Sequence, residues 1–318
     1  STRWFSGWSS GSLNRPAGPE RAERPRVSPR RSHRAGISST ASVGRAGTLT
    51  LQYVREGART VFGKTNSQTP WHLFPPIYLD ESGAAYTLLL NPSGGLVGGD
   101  HLTIDMRLEE AAHVLISTPS ANRVYRSLSE QSVQEINIRL ASGSRLEWFP
   151  EQTIPFAGSR FRQSIDVTLK PGSVLVLWDA IASGRVASSE RWAFSRLCNE
   201  IRITAPSGRQ MVERYDLAPG TVRAGIGLVQ EWDYVASLFV AGDAVADAVW
   251  SRLEAEVAPL LDARPGRLLG GVSRPDLPGL AVKLLARSAP DLGAACDALW
   301  ATVRRVLWGL PPAVLRKY

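Results

Sequence analysis

Four short segments carry the residue types and spacings that could do chemistry. The first is Asn91-Pro92-Ser93-Gly94-Gly95-Leu96-Val97-Gly98-Gly99-Asp100, which follows an apolar run. Two glycine pairs around Leu-Val call for positive φ or close backbone approach at Gly94, Gly95, Gly98 and Gly99. A phosphate-cradling P-loop needs Lys and Ser/Thr after its last glycine, and Asp100-His101 stands there instead. A dinucleotide fingerprint must open a helix, whereas an alternating strand pattern follows. Asp100 would also repel a phosphate. The local reading is a tight turn in which Asp100 bonds its own turn backbone.

The second segment, Ser117–Ser127, gathers hydroxyls, an amide and the pair Arg123 and Arg126. Two arginines three apart suit a carboxylate or phosphate clamp, and equally suit loop carbonyls. The third, Phe149–Gly158, sets Glu151 between an apolar run and a turn anchored by Pro155-Phe156. The fourth runs from Trp178-Asp179 through Ser183-Gly184-Arg185 to Glu190. A hydrolytic engine is not among them, because no nucleophile elbow accompanies Asp100-His101. The four histidines form no HxH or HExxH pair, and Cys198 and Cys296 lack CxxC spacing. Two free thiols in a reducing cytosol is the expectation. Cys296 reads as a small buried hydrophobe.

The elements that must position these segments are mostly strands. Leu49, Leu51 and Tyr53 alternate with polar residues, as do Leu102–Met106, Ile136–Leu140 and Ile165–Leu169. Apolar runs at 86–90, 113–116 and 174–178 read as strands buried on both faces. Further strands are expected at 146–149, 191–194, 200–204 and 210–215. Helical period enters only late. Asp243 is a candidate cap for a helix spaced by Val245, Val249, Leu253 and Val257. A second helix starts near Pro290-Asp291, aligns Leu292, Ala295, Cys296, Leu299, Val303 and Val306, and stops at Gly309. Trp300 and Trp308 flank that stripe, filling a core or docking a partner. The fold class expected is mainly β, a large multi-stranded body with a small C-terminal α-helical part.

Charge is unevenly placed. The 318 residues carry a net +8, yet residues 1–47 alone hold nine Arg against two Glu, leaving the remainder at +1. That first stretch is rich in Ser, Arg and Pro without periodicity, and is expected to be a disordered extension. Targeting and RNA contact are its alternative roles. The expected organisation is this extension at 1–47, a β-rich body at 48–240 and a helical part at 241–318 packed on the body. No apolar run reaches the length of a membrane span.

Taken in order, the four segments resemble the urease accessory protein family UreD, called UreH in some bacteria. Its H-P-P-G-G-L-V-G-G-D is matched at Pro92, Gly94, Gly95, Leu96, Val97, Gly98, Gly99 and Asp100. Its T-T-x-A-x-K-V-Y-R-S is similar to 117–127, including Tyr125 and Arg126. Its P-Q-E-x-I-P-F resembles Pro150–Phe156, and its W-D-x-x-x-x-G-R-x-x-x-G-E resembles 178–190, with Gly184, Arg185 and Glu190. The C-terminal G-L-P-P recurs at 309–312. Departures are Asn91 in place of His, Ser93 in place of Pro, the inverted pair Glu151-Gln152, Ser189 in place of Gly, and Lys317-Tyr318 at the terminus. Without a histidine at 91 that position offers no imidazole ligand.

The resemblance implies a non-enzymatic, cytoplasmic maturation factor. It implies UreF-like and UreG-like partners, the latter binding GTP, and apo-urease as the recipient of Ni²⁺. No tightly bound cofactor is expected. Nickel contact would be transient and oxygen-rich, with Asp100, Glu151 and Glu190 as the metal-touching candidates, since weak ligation releases a cargo that thiolate or imidazole would hold. The rival classes are an enzyme using the Gly-rich loop as an anion cradle and an RNA-associated protein using the basic N-terminal tail.

Overall fold

A computed structural model describes residues 44–219 and 232–314. The disordered extension expected at 1–47 lies outside the described residues up to 43, while Ala46 and Gly47 already belong to a strand. In chain order the strands begin with β1 (Ala46–Glu56), β2 (Arg59–Ser67), β3 (His72–Leu73), β4 (Ala85–Leu90) and β5 (His101–Leu108). Next come β6 (His113–Ser117), β7 (Asn122–Val124), β8 (Ser132–Leu140), β9 (Arg145–Phe149) and β10 (Thr153–Pro155). They continue with β11 (Arg160–Leu169), β12 (Val174–Ala182), β13 (Arg196–Thr204), β14 (Gln210–Leu217) and β15 (Tyr234–Ala241). Helix α1 (Asp247–Asp262), β16 (Leu268–Ser273), β17 (Gly279–Ala286) and α2 (Ala289–Trp308) complete the order.

Two sheets face each other. One has the strand order β14-β13-β11-β8-β5-β1-β2; the other runs β16-β17-β15-β12-β9-β6-β4-β3. From β4 to β13 the chain alternates between them, and β5, β8, β11 and β13 stack in parallel, as do β4, β6, β9 and β12. Each pair of strands is thus one turn of a coil. Antiparallel strands close both ends of the first sheet, β2 on β1 and β14 on β13.

Period-two sequence explains the interior. Parallel register aligns Leu49, Ile104, Ile136, Ile165 and Ile201 in one row and Leu51, Met106, Ile138, Val167 and Ile203 in the next. All ten are buried. Burying each such side chain is worth about 1.5–3 kcal/mol, so the rows hold the sheets together. The alternate residues on the outer face pair with one another instead, as Arg214 does with Glu200 (2.7 Å) and Arg196 with Asp216 (2.6 Å). Such exposed pairs contribute only about 0–1 kcal/mol each.

The second sheet is covered on its outer face by the helices. Trp250, Leu253 and Val257 of α1, and Leu292, Leu299, Trp300 and Val303 of α2, pack with Trp178, Leu238, Val282 and Leu284. Ser288 caps α2, its Oγ accepting from the Asp291 amide, and Gly309 ends it at φ 62°. The fold class is as expected, with four local corrections. Asp243 does not cap α1; Ala246 is the cap residue, and the Asp243 carboxylate accepts from the Gly172 amide (2.8 Å). Residues 191–194 form no strand, because Trp192 takes φ 53° and breaks extension. The C-terminal part contributes β16 and β17 to the second sheet in addition to its helices. Cys296 is half-buried rather than buried.

A buried ionic knot fastens α2. Arg304 Nη1 donates to both oxygens of Glu147 (2.7 and 2.9 Å), Nη2 pairs with Asp80, and Nε donates to the Pro311 carbonyl (2.8 Å). His113 Nε2 lies 2.9 Å from Glu147, and the Trp300 indole donates to the same carboxylate. Glu147 is fully buried and Arg304 only 1 % exposed.

Candidate functional site

All four motif segments lie at one end of the sandwich, because each joins the C-terminal end of a strand in the second sheet to the N-terminal end of one in the first. At the opposite end the turns after β5, β8 and β11 are short, at 109–112, 141–144 and 170–173.

The Gly-rich loop is locked to the second segment. Leu96 donates to the Arg123 carbonyl (2.8 Å), and Tyr125 donates its amide to the Leu96 carbonyl (2.8 Å). A Cβ on Gly95 would stand 2.3 Å from the Arg123 carbonyl oxygen, so only glycine permits this approach. Pro92 and Gly94 form the exposed tip, where the Tyr125 hydroxyl donates to the Gly94 carbonyl (3.3 Å). Gly98 passes under the Glu130 carbonyl, and Gly99 donates its amide to the Gln131 carbonyl (3.2 Å). The Asp100 carboxylate accepts from the Val97 amide and, 55 residues back, from the Arg45 amide, both at 2.9 Å.

From Tyr125 the contacts run on through the other two segments. Strands β7 and β10 pair in parallel, setting Pro155 opposite Val124. The Phe156 ring meets Tyr125 edge-on (5.0 Å) and lies under the Arg185 guanidinium (4.5 Å). Arg185 holds Glu190 with two nitrogens, and the Ala157 amide donates to the same carboxylate (3.2 Å). That guanidinium bond holds the Glu190 carboxyl below its ordinary range. Gly184 is the turn that lets the Glu190 backbone fold back toward it. Arg126 lays its stem over Gly158.

Behind these loops a cavity enters the space between the sheets. Its volume is about 80 Å³, room for several waters. Its outer lining includes Asn91, Gly95, exposed Ser120 and Glu151; its inner lining includes Gln134, Trp148, Gln163 and Asp179. The buried Trp148 indole N–H has no protein acceptor, so a donor is left for water or another oxygen. Asn122 donates to Gln134 (3.1 Å).

The polar lining continues past the cavity. Gln134, Gln163, Asn199 and Tyr215 are register neighbours across β8, β11, β13 and β14. Asp179, Ser237 and Lys283 are register neighbours across β12, β15 and β17 in the facing sheet. Gln163 and Asn199 each donate to Asp179 (3.0 and 2.9 Å), and Asn199 also donates to the Tyr215 hydroxyl (2.8 Å). Burial pushes the Asp179 carboxyl up, against the pull of Gln163, Asn199 and the Lys283 charge. Burial also raises the Tyr215 phenol and lowers the Lys283 ammonium to about 8.

Of the three carboxylates expected to touch metal, Glu151 lies on the cavity, while Asp100 and Glu190 are engaged by backbone amides and Arg185. Among the described residues no three His, Cys, Asp or Glu side chains are grouped to hold an ion. Sequence reasoning singled out the loops and left Gln134, Gln163 and Asn199 without a role. Their signal was available. Each occupies an inward slot of an alternating strand, followed two residues later by an inward isoleucine, Ile136, Ile165 or Ile201.

Fold and site together define a coiled β-sandwich whose largely apolar interior carries a polar band beside a cavity at the loop-bearing end. A family model described as UreD urease accessory protein matches residues 45–317, and the chain belongs to that family. It is 32 % identical to urease accessory protein UreD 2 of Streptomyces griseus over 284 residues, covering 87 % of this chain and 95 % of that one. It is 34 % identical to UreD of Deinococcus radiodurans over 275 residues, covering 86 % and 95 %. The UreD of Paracidovorax citrulli is 32 % identical over 271 residues, covering 83 % and 95 %. All three are named accessory proteins rather than enzymes. No helix among the described residues is long and apolar enough to cross a membrane.

Proposed function

We propose that the chain is a non-catalytic, cytoplasmic scaffold of urease maturation that passes Ni²⁺, as cargo, to apo-urease. UreF-like and UreG-like proteins are the partners, with GTP bound by the latter. The observation that carries this reading is the cavity between the sheets, whose largely apolar wall is interrupted by the Gln134 and Gln163 amides, the Thr153 hydroxyl and the Asp179 carboxyl. Such oxygen donors suit a hydrated divalent ion in passage, since they bind nickel more weakly than imidazole or thiolate does. Glu151 stands at the entrance and Asp179 within; Asp100 and Glu190 would reach the ion only by giving up their present partners.

The test is co-expression of the chain with the two accessory partners and apo-urease, followed by pull-down and nickel analysis. Capture of both partners and urease is expected. An Asp179→Asn chain that assembles normally should yield nickel-poor urease. Normal nickel content in that variant counts against passage, and failure to capture any partner overturns the scaffold.

A further inference from the structure

The polar interior has a second end. Beyond Asp179 and Tyr215 the first sheet stops at its edge strand β14, whose Glu213 reaches Ser237 of β15 and Lys283 of β17 in the facing sheet. At this edge the Lys283 ammonium donates to Ser237 Oγ (3.0 Å) and pairs with the Glu213 carboxylate, whose side chain is only 9 % exposed. Ser237 Oγ donates in turn to Glu213 (2.9 Å). The Phe239 ring lies 5.7 Å from the ammonium, a further attraction for a cation at that point. The groups facing Lys283 are thus Glu213 and Tyr215 from β14, Asp179 from β12, Ser237 and Phe239 from β15, and Gly271 from β16.

We propose that Lys283 is a stopper that keeps divalent cations in the interior from exchanging with solvent at the β14–β17 edge. The inference rests on the nickel-passage reading and adds to it a residue that governs retention. Three features support it. A positive charge at this edge repels a doubly charged ion. The ammonium already fills the position between a near-buried carboxylate and a hydroxyl that an outgoing cation would need. The Lys283 side chain is also 56 % exposed, so its stem can swing to solvent without unpacking the core.

The experiment loads the purified full chain with Ni²⁺ and follows capture of the released ion by a chromophoric chelator in stopped flow. Wild type is compared with Lys283→Met and Lys283→Arg, and nickel in urease is measured in the co-expressing cells. Lys283→Met should release nickel about tenfold faster or more, the effect of about 1.4 kcal/mol on a barrier, while Lys283→Arg should stay near wild type. Thermal melts report folding, and a partly exposed lysine makes the Met variant tolerable. Equal release from wild type and Lys283→Met overturns the stopper alone, provided Asp179→Asn still lowers urease nickel. Slow release from Lys283→Met together with fast release from Lys283→Arg also overturns it, because charge would not be the cause. A wild-type chain that takes up no nickel overturns both this inference and the passage on which it rests.

Discussion

Replacing Arg304 by methionine should detach α2 from the sheet at a cost that can be worked out from the buried knot. The guanidinium satisfies both oxygens of Glu147, the Asp80 carboxylate and the Pro311 carbonyl. Methionine fills similar volume and removes all four interactions. Each charge-assisted bond is worth about 1.5–3 kcal/mol, but the terms do not add because they share one donor group. The deciding quantity is the charge left behind. Glu147 would remain fully buried with only His113 and the Trp300 indole beside it, and breaking a buried pair in this way costs about 3–5 kcal/mol. Removing Glu147 as well should recover part of the loss. The Glu147→Leu/Arg304→Met double variant leaves the Trp300 N–H, His113 Nε2 and Asp80 short of partners, about 1–3 kcal/mol for each buried group, but strands no fully buried charge. Urea unfolding followed by tryptophan fluorescence measures both, and hydrogen exchange locates the loss in α2. A single variant destabilised by less than about 1 kcal/mol, or a double variant no better than the single, would refute an uncompensated charge as the cause.

Three further outcomes follow from the same geometry. Because burial raises the Asp179 carboxyl, the folded state favours its protonated form; that stability is present below the unfolded carboxylate value, about 4, and is lost as pH rises through the folded value. Asp179→Asn should therefore gain on wild type as pH climbs above about 4 in denaturation curves at several pH values, and a pH-independent difference would contradict the assignment. Ala111, Gly143 and Gly172 occupy equivalent turns at the end opposite the motif loops, with φ of 56°, 68° and 76°. Ala111→Gly should accordingly be neutral or stabilising by up to about 1 kcal/mol in the same unfolding assay, whereas Gly143→Ala should be destabilising by a similar amount. Phe156→Ala removes the ring between Tyr125 and Arg185; it should cost about 1–2 kcal/mol and speed hydrogen exchange in residues 122–126 while leaving β5 protected.

What could be read from the sequence was whatever depends on parity. Leu49, Ile104, Ile136, Ile165 and Ile201 alternate with polar neighbours, and period two alone assigns them to one face. Pairing order was not legible, because the same alternation is compatible with hairpins. Only the structure shows β5, β8 and β11 stacked in parallel by passages through the facing sheet. The two strands of the C-terminal part escaped for a different reason. β17 reads Gly-Leu-Ala-Val-Lys-Leu-Leu-Ala, rich in helix formers, and its state is decided by the hydrogen bonds it finds on β15.

The site divides along the same line. Glycines, prolines and aromatic anchors of the loops were legible because each meets a local backbone requirement, as Gly95 does beneath Arg123. The interior lining was not, although its residues broke the pattern openly. Gln163 stands between Phe161 and Ile165, and Asn199 between Leu197 and Ile201, each in a slot that parity turns inward. An inward amide makes sense only if something across the gap needs it, and Asp179 lies on a strand of the other sheet. Burying that carboxyl would be costly in isolation, and the two amide donors offset part of the cost. A core built only for stability would place Leu or Ile in all three positions. The Asp179 carboxyl, held by neutral donors and lining the cavity behind the motif loops, is the feature on which the proposed passage of a cation rests.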